Sequence, residues 1–437
     1  MDLNTYKKYI QILNEELVPA MGCTEPIAIA YAAAKARDVL GTFPESVIVK
    51  CSGNMIKNAR CVTVPNTGDL VGIEASAIIG ILAGKSHRKL EVINEVSEEA
   101  IIKTHELIQS DYCKVEFLDS EIELHIIVDV FNKEESASIE IKHAHDNISS
   151  IIKDGEAIFK LEEDSNKYLG VFIDRSILSV EKIYEFANTM NIDDVKELLD
   201  NQMKYNIDIA EEGLKGSYGV GIGKVILEAG NSLTNKVKAY TAAASEARMS
   251  GCSLPVMTNS GSGNSGMTIS VPLIIYAREK NISKELLYRA LVFANLINIH
   301  QKAGIGRLSA FCGAVTSGCA SGAGITYLEG GSLEQINKTI NNTLANISGI
   351  VCDGAKASCA AKIATSLDAA MMSHSLAMIN RGYSANTGIL KEDIEETISA
   401  IGRLGKIGMR ETDKEILDIM LEACLLYTSP SPRDYAA

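Results

Sequence analysis

Two long stretches without a single charge, Met249–Ala277 and Leu308–Leu328, constrain this chain more than any other feature. Uncharged runs of that length must be hidden from water, either in a bilayer or in a protein interior. Both are crowded with Gly, Ser, Thr, Asn and Cys rather than Leu, Ile and Phe. A membrane span needs about 20 mostly apolar residues, so these runs are read as interior segments. Small side chains there let helix backbones approach closely or build the wall of a buried site. No membrane partner is expected.

The hydrophobic period changes along the chain. Residues 2–17 repeat at helical spacing, and a break follows at Val18 to Pro26. Ile27 to Ala36 then reads as a buried, alanine-rich helix opened by the Thr24-Glu25-Pro26 turn. Val47–Cys51 is a short strand candidate, and Gly68 to Ala83 and Glu91 to Gln109 read as helices. From Lys114 the period becomes two, and Lys114–Leu118, Glu123–Asn132 and Ala137–His143 predict a small antiparallel sheet of three or four strands. Beyond Ser179 the pattern is helical, interrupted by Gly-rich turns. The expected fold class is α+β: a predominantly helical catalytic unit over residues 175–423, preceded by an N-terminal part, residues 1–174, with its sheet near 114–160. Residues 424–437 do not continue the preceding pattern. They resemble a read-through of non-native sequence and are expected to be an unstructured tail.

With 437 residues the chain can form two or three cooperative units, and a hydrophobic share of 46% excludes global disorder. A net charge of −14, no basic stripe and no Trp exclude a nucleic-acid partner. The N-terminus runs straight into an amphipathic helix pattern, so no secretory signal is expected and the location read from it is cytoplasmic. Ten cysteines in such a setting should remain thiols or serve as ligands.

Several groups carry chemistry. Cys312, Cys352 and Cys359 are separated by 40 and 7 positions, which is no zinc-ribbon pattern. Three thiolates from helix-connecting loops would suit an iron–sulfur cluster with one iron open, while three small buried hydrophobes explain the same spacing. Cys23, within Gly22-Cys23-Thr24-Glu25-Pro26, falls at a helix start, where the helix dipole is expected to lower its pKa; Thr24 or Glu25 there can equally be capping residues. Two similar turns, Ser52-Gly53-Asn54 and Ser260 to Gly266, would suit an amino-acid carboxylate through backbone N–H groups. No Walker loop and no strand-led GxGxxG is present. His143 and His145 end a strand, where they could bind a metal or shuttle a proton, or simply face solvent.

In order along the chain, Gly22 to Pro26, Ser52 to Asn58, the Gly263-Asn264 turn, Leu308 to Ala314 and Cys352 to Lys356 resemble the L-cysteine desulfidase family, related to the α chain of iron–sulfur L-serine dehydratases. The likeness runs from about residue 10 to 420. It implies a 4Fe–4S cluster held by Cys312, Cys352 and Cys359, with Cys23 as the base that removes the substrate Cα proton. It implies β-elimination from L-cysteine to pyruvate, ammonia and hydrogen sulfide. Thr24, Ser52, Gly53, Asn54, Asn58, Ser262, Gly263 and Asn264 become candidate substrate contacts. His145 and Asn147 join them on a partial match to a His-Thr-Asn-Ile segment. Cys319, seven residues after Cys312, lies outside the Phe-Cys-Gly context. L-serine dehydration is the nearest rival, a non-catalytic iron–sulfur redox sensor a more distant one, and a homodimer is a further expectation.

Overall fold

The computed structural model describes residues 1–161 and 173–428. Helix α1 (Leu3–Glu16) starts at Asp2, whose carboxylate accepts from the amides of Asn4 and Thr5. Strand β1 (Pro19–Met21) leads to α2 (Thr24–Leu40), then β2 (Ser46–Cys51), α3 (Gly53–Ala59), α4 (Gly72–Ala83) and α5 (Glu98–Ile108). Five strands follow: β3 (Cys113–Phe117), β4 (His125–Phe131), β5 (Ser136–Lys142), β6 (Ile148–Lys153) and β7 (Glu156–Lys160).

The sheet is larger than its periodicity predicts. It has six strands in the order β3-β2-β4-β5-β6-β7, and β2 runs parallel to β3. A parallel pair needs a long crossover, here the segment carrying α3 to α5, and local alternation cannot reveal such a partner. Strand β7 is exposed throughout and has no apolar face to betray it. The inward residues Ile126, Val128, Val130, Ile139 and Ile141 face α2, against which α4 lies in turn. The alanine-rich sequence of α2 has a steric cause: a Cβ on Gly80 of α4 would lie 2.3 Å from the Ala30 carbonyl oxygen.

The helical half comprises α6 (Val180–Thr189), α7 (Lys196–Lys215), α8 (Ile222–Glu228), α9 (Leu233–Met249), β8 (Pro255–Met257), α10 (Gly263–Lys280), α11 (Lys284–Ile305), α12 (Gly313–Leu328), α13 (Leu333–Ile347), α14 (Cys359–Met378), α15 (Ile394–Arg403) and α16 (Arg410–Thr428). The α+β, mostly helical class is as expected. Helix α12 is the centre: every residue from Ala314 to Leu328 is buried. Its glycines let neighbours close in, since a Cβ on Gly318 would meet Ser366 at 2.9 Å and one on Gly322 would meet Ala370 at 2.9 Å, both on α14. The uncharged runs are thus close-packed interior, and no helix among the described residues is long and apolar enough to cross a membrane.

Three ties join the halves. Tyr9, Ile12 and Leu13 of α1 are buried in the core of the helical half, against Phe186. Strand β1 pairs antiparallel with β8, Ala20 opposite Val256. Helix α16 returns to α3, where Asp413 accepts from Asn54 Nδ2 at 3.2 Å and forms an ion pair with the buried Lys57. Residues 424–428 of the expected tail continue α16, which is described through Thr428. Residues 429–437 of the expected tail lie outside the described residues.

Candidate active site

The short β1–β8 pair brings two distant motifs face to face: the residues after β1 enter α2, and those after β8 enter α10. Thr24 Oγ1 donates to the Gly261 carbonyl at 2.9 Å across this junction. Between them lies a cavity of about 110 Å³, lined by Cys23, Glu25, His145, Arg248 and the three paired-loop cysteines among others. That is room on the order of ten ordered waters, the scale of a small amino acid rather than a dinucleotide.

Cys312, Cys352 and Cys359 share this cavity although two loops carry them. The loops are zipped together: the Cys312 amide donates to Ile350 O at 3.1 Å, and the Cys352 amide to Ala310 O at 2.7 Å. Cys312 caps α12 and Cys359 opens α14, so two helix N-termini face the thiols. Their mutual hydrogen bond raises the Cys312 thiol and lowers that of Cys352, with nearby Lys57 and Lys362 favouring the Cys352 thiolate. No three acidic, His or Cys groups among the described residues converge on a single-ion position. A three-thiol set spread around a cavity instead fits the donor chemistry of a cluster, whose irons are ligated individually. Cys319 does not line the cavity; it is buried within α12 against the Ile340 carbonyl.

Cys23 sits at the N-cap of α2 as its position predicts, but its thiol is not activated by the dipole. Burial, then the adjacent Glu25 carboxylate, push its pKa well above the ordinary thiol range. This corrects the expected lowering, since desolvation outweighs a helix terminus inside a core. Cys23 Sγ donates to Glu25 Oε2 at 2.9 Å, and His145 Nε2 stands 3.6 Å from Glu25 Oε1. Burial alone would raise Glu25, but His145 and the Cys23 thiol bring it down to about 2. The result is a buried row of thiol, carboxylate and imidazole.

The other candidate contacts divide. Thr24, Asn58, His145, Ser262 and Asn264 line the cavity. Ser52, Gly53 and Asn54 do not: Ser52 Oγ donates to Glu123 O at 2.7 Å, Asn54 reaches Asp413, and Gly53 lies under Leu417. That turn holds α16 in place. Asn147 also stands apart, closing its own turn onto Lys142 O at 2.9 Å. Gly263 contributes by having no side chain, because a Cβ there would lie 2.4 Å from Arg248 Nε.

Sequence reasoning passed over three cations that line the cavity: Arg248, Lys302 and Arg307. Arg307 pairs with Glu16 at 3.2 Å. Lys302 is buried, and desolvation lowers its pKa despite Glu123, Cys352 and Cys312 nearby. Arg248 is 3% exposed, and among the described residues no carboxylate pairs with it. Its Nη1 donates to Asn264 Oδ1 at 3.2 Å, while its buried Nε has no acceptor. The one available signal was the position of Arg248 as the last charge before the first uncharged run.

The sequence profile of the serine dehydratase alpha chain family matches residues 87–418. A protein of Treponema denticola named UPF0597 protein is 48% identical over 428 residues, covering 97% of this chain and 99% of its own length. A UPF0597 protein of Lachnoclostridium phytofermentans is 50% identical over 417 residues, covering 95% of this chain and 100% of its own. Those names state no reaction.

Proposed function

Because the chain belongs to the serine dehydratase alpha chain family, we propose that it is a lyase that eliminates sulfide from L-cysteine with the help of a 4Fe–4S cluster. The observation that carries this reading is the meeting of Cys312, Cys352 and Cys359 with the Cys23–Glu25–His145 row in one cavity. The three cysteines would hold the cluster, which when bound supplies a Lewis-acidic iron that polarises the leaving group.

The chain's own residues move the proton. Cys23 rests as a thiol donating to Glu25 Oε2 at 2.9 Å, and its proton leaves through the Glu25–His145 pair, the carboxylate itself staying ionised. The thiolate so formed takes the Cα proton of the substrate. As that bond breaks, the Cα=Cβ double bond forms and the Cβ–S bond breaks with release of sulfide, which takes up the proton lost by Cys23. The aminoacrylate product tautomerises, and water converts it to pyruvate and ammonia. The burial of Cys23 and Glu25 limits their proton exchange with solvent.

The name of the matched family favours a second reading, L-serine dehydration, in which hydroxide leaves from the same position. Anaerobic reconstitution followed by pyruvate and sulfide assays separates the readings. The desulfidase reading expects about four irons per chain and turnover of L-cysteine above L-serine, both abolished in Cys352→Ala. A strong serine preference overturns it in favour of the dehydratase. Iron without amino-acid turnover favours a redox sensor, and a colourless protein returns the three cysteines to core packing.

A further inference from the structure

We propose that Arg248 is the carboxylate anchor of this cavity, gripping the α-carboxylate of the incoming amino acid against the first turn of α10. The proposal deepens the lyase reading, since it takes the ligand of the site to be an α-amino acid.

A guanidinium buried without a carboxylate is costly and persists where something else supplies the negative charge. Arg248 is 3% exposed, lines the cavity, and leaves Nε without an acceptor. Its hydrogen bond to Asn264 Oδ1, at 3.2 Å, is to a neutral amide and orients the group without neutralising it. Arg307 is already paired with Glu16, so it does not compete for a ligand's charge in the same way.

The surroundings fit a planar anion. Ser262 Oγ accepts from the Ser265 amide and Ser262 O from that of Gly266, which leaves the Gly263 and Asn264 amides at the start of α10 for a ligand, with Ser262 and Asn264 on the cavity wall. The bare Cα of Gly263 lets the guanidinium lie directly on that turn, where any side chain would strike Nε at 2.4 Å and Cζ at 2.7 Å. Arginine presents a fork of donors matched to the two oxygens of a carboxylate. The same guanidinium is close enough to Cys23 to act on its thiol electrostatically. A carboxylate held there therefore brings the Cα atom, one bond away, toward the Cys23–Glu25 pair.

Calorimetric titration of the reconstituted protein with L-alanine and with ethylamine isolates the carboxylate, because neither ligand carries a leaving group. The wild type should bind L-alanine about 10- to 100-fold more tightly, the range of a charge-assisted pair. Arg248→Met should erase that preference while keeping its iron content, visible absorption and circular dichroism. Arg248→Lys should keep part of it, a point charge replacing the fork. No preference in the wild type, an undiminished preference in Arg248→Met, or loss of iron from that variant would each overturn the anchor; the last would make Arg248 the countercharge of the cysteines. An Arg248-dependent preference in a protein that eliminates nothing from L-cysteine or L-serine would uphold the anchor and sink the lyase reading.

Discussion

Gly354→Ala tests whether the cysteine loop is held by the close approach of α3. Gly354 lies between Cys352 and Cys359 with φ +96°, and a Cβ there would sit 2.2 Å from the Lys57 carbonyl oxygen. Two costs add. An alanine in left-handed backbone costs about 1–2 kcal/mol, and overfilling a packed contact costs typically about 1–3 kcal/mol. A carbon–oxygen contact settles near about 3.3 Å, so the loop must withdraw by roughly 1 Å. Lys57 cannot yield, because it is buried and ion-paired with Asp413. The expected total is about 2–5 kcal/mol, concentrated on the segment that carries two of the three proposed ligands. Gly330→Ala is the matched control, with φ +74° and open space where its Cβ would stand. It should cost only the backbone share, about 1–2 kcal/mol, and leave the iron untouched. The assays are iron per chain after anaerobic reconstitution and the thermal midpoint, which moves by at most about 2–4 °C per kcal/mol in a chain this long. If Gly354→Ala binds full iron and melts with Gly330→Ala, the cysteine loop is not fixed by α3.

Two further perturbations address the surrounding charges. Lys57→Met leaves Asp413 without its buried partner and should destabilise the protein by about 2–4 kcal/mol; Lys57→Met with Asp413→Asn should recover part of that in denaturant unfolding, and no recovery would deny the pairing. Glu25 has a folded-state pKa of about 2 against an ordinary 4.5. A depressed carboxylate stabilises above the unfolded value, and that contribution is lost as pH falls through the folded one. The stability gap between wild type and Glu25→Gln should therefore be on the order of 3 kcal/mol above about pH 4.5 and shrink between pH 4.5 and 2. A gap that persists unchanged to pH 2 would mean that Glu25 is not held ionised by His145 and Cys23.

What was legible in the sequence follows from how far each signal reaches. The mostly helical character, the strands β3, β4 and β5 and the interior character of the uncharged runs are local patterns and appear near their expected positions, although β3 stands at the sheet edge and pairs in parallel with β2. The parallel pairing of β2 with β3 and the β1–β8 pair are contacts across long sequence separations, which no local period encodes. The site divides along the same line. Cys312, Cys352, Cys359 and Cys23 carry chemistry that is rare enough to be noticed wherever it stands. Ser52, Gly53 and Asn54 look like an anion-binding turn because glycine, serine and asparagine serve both ligand loops and tight structural turns. Here the turn binds Glu123 and Asp413 of the protein itself.

Arg248 and Glu25 are the instructive omissions, since each is a charge whose meaning depends on burial. Glu25 at the start of a helix has the place of an ordinary capping acid, and only the packing of His145 and the Gly261 turn against the start of α2 takes it from water and sets it between a thiol and an imidazole. Arg248 ends a helix, where a cation is favoured on any protein surface. The β1–β8 pair and the missing side chain of Gly263 turn that ordinary position inward. A charge becomes functional when the fold removes its solvent without supplying its counterion, and that deficit is a property of three-dimensional enclosure. Composition cannot carry it, because the same arginine two turns from a surface loop would be neutralised by water.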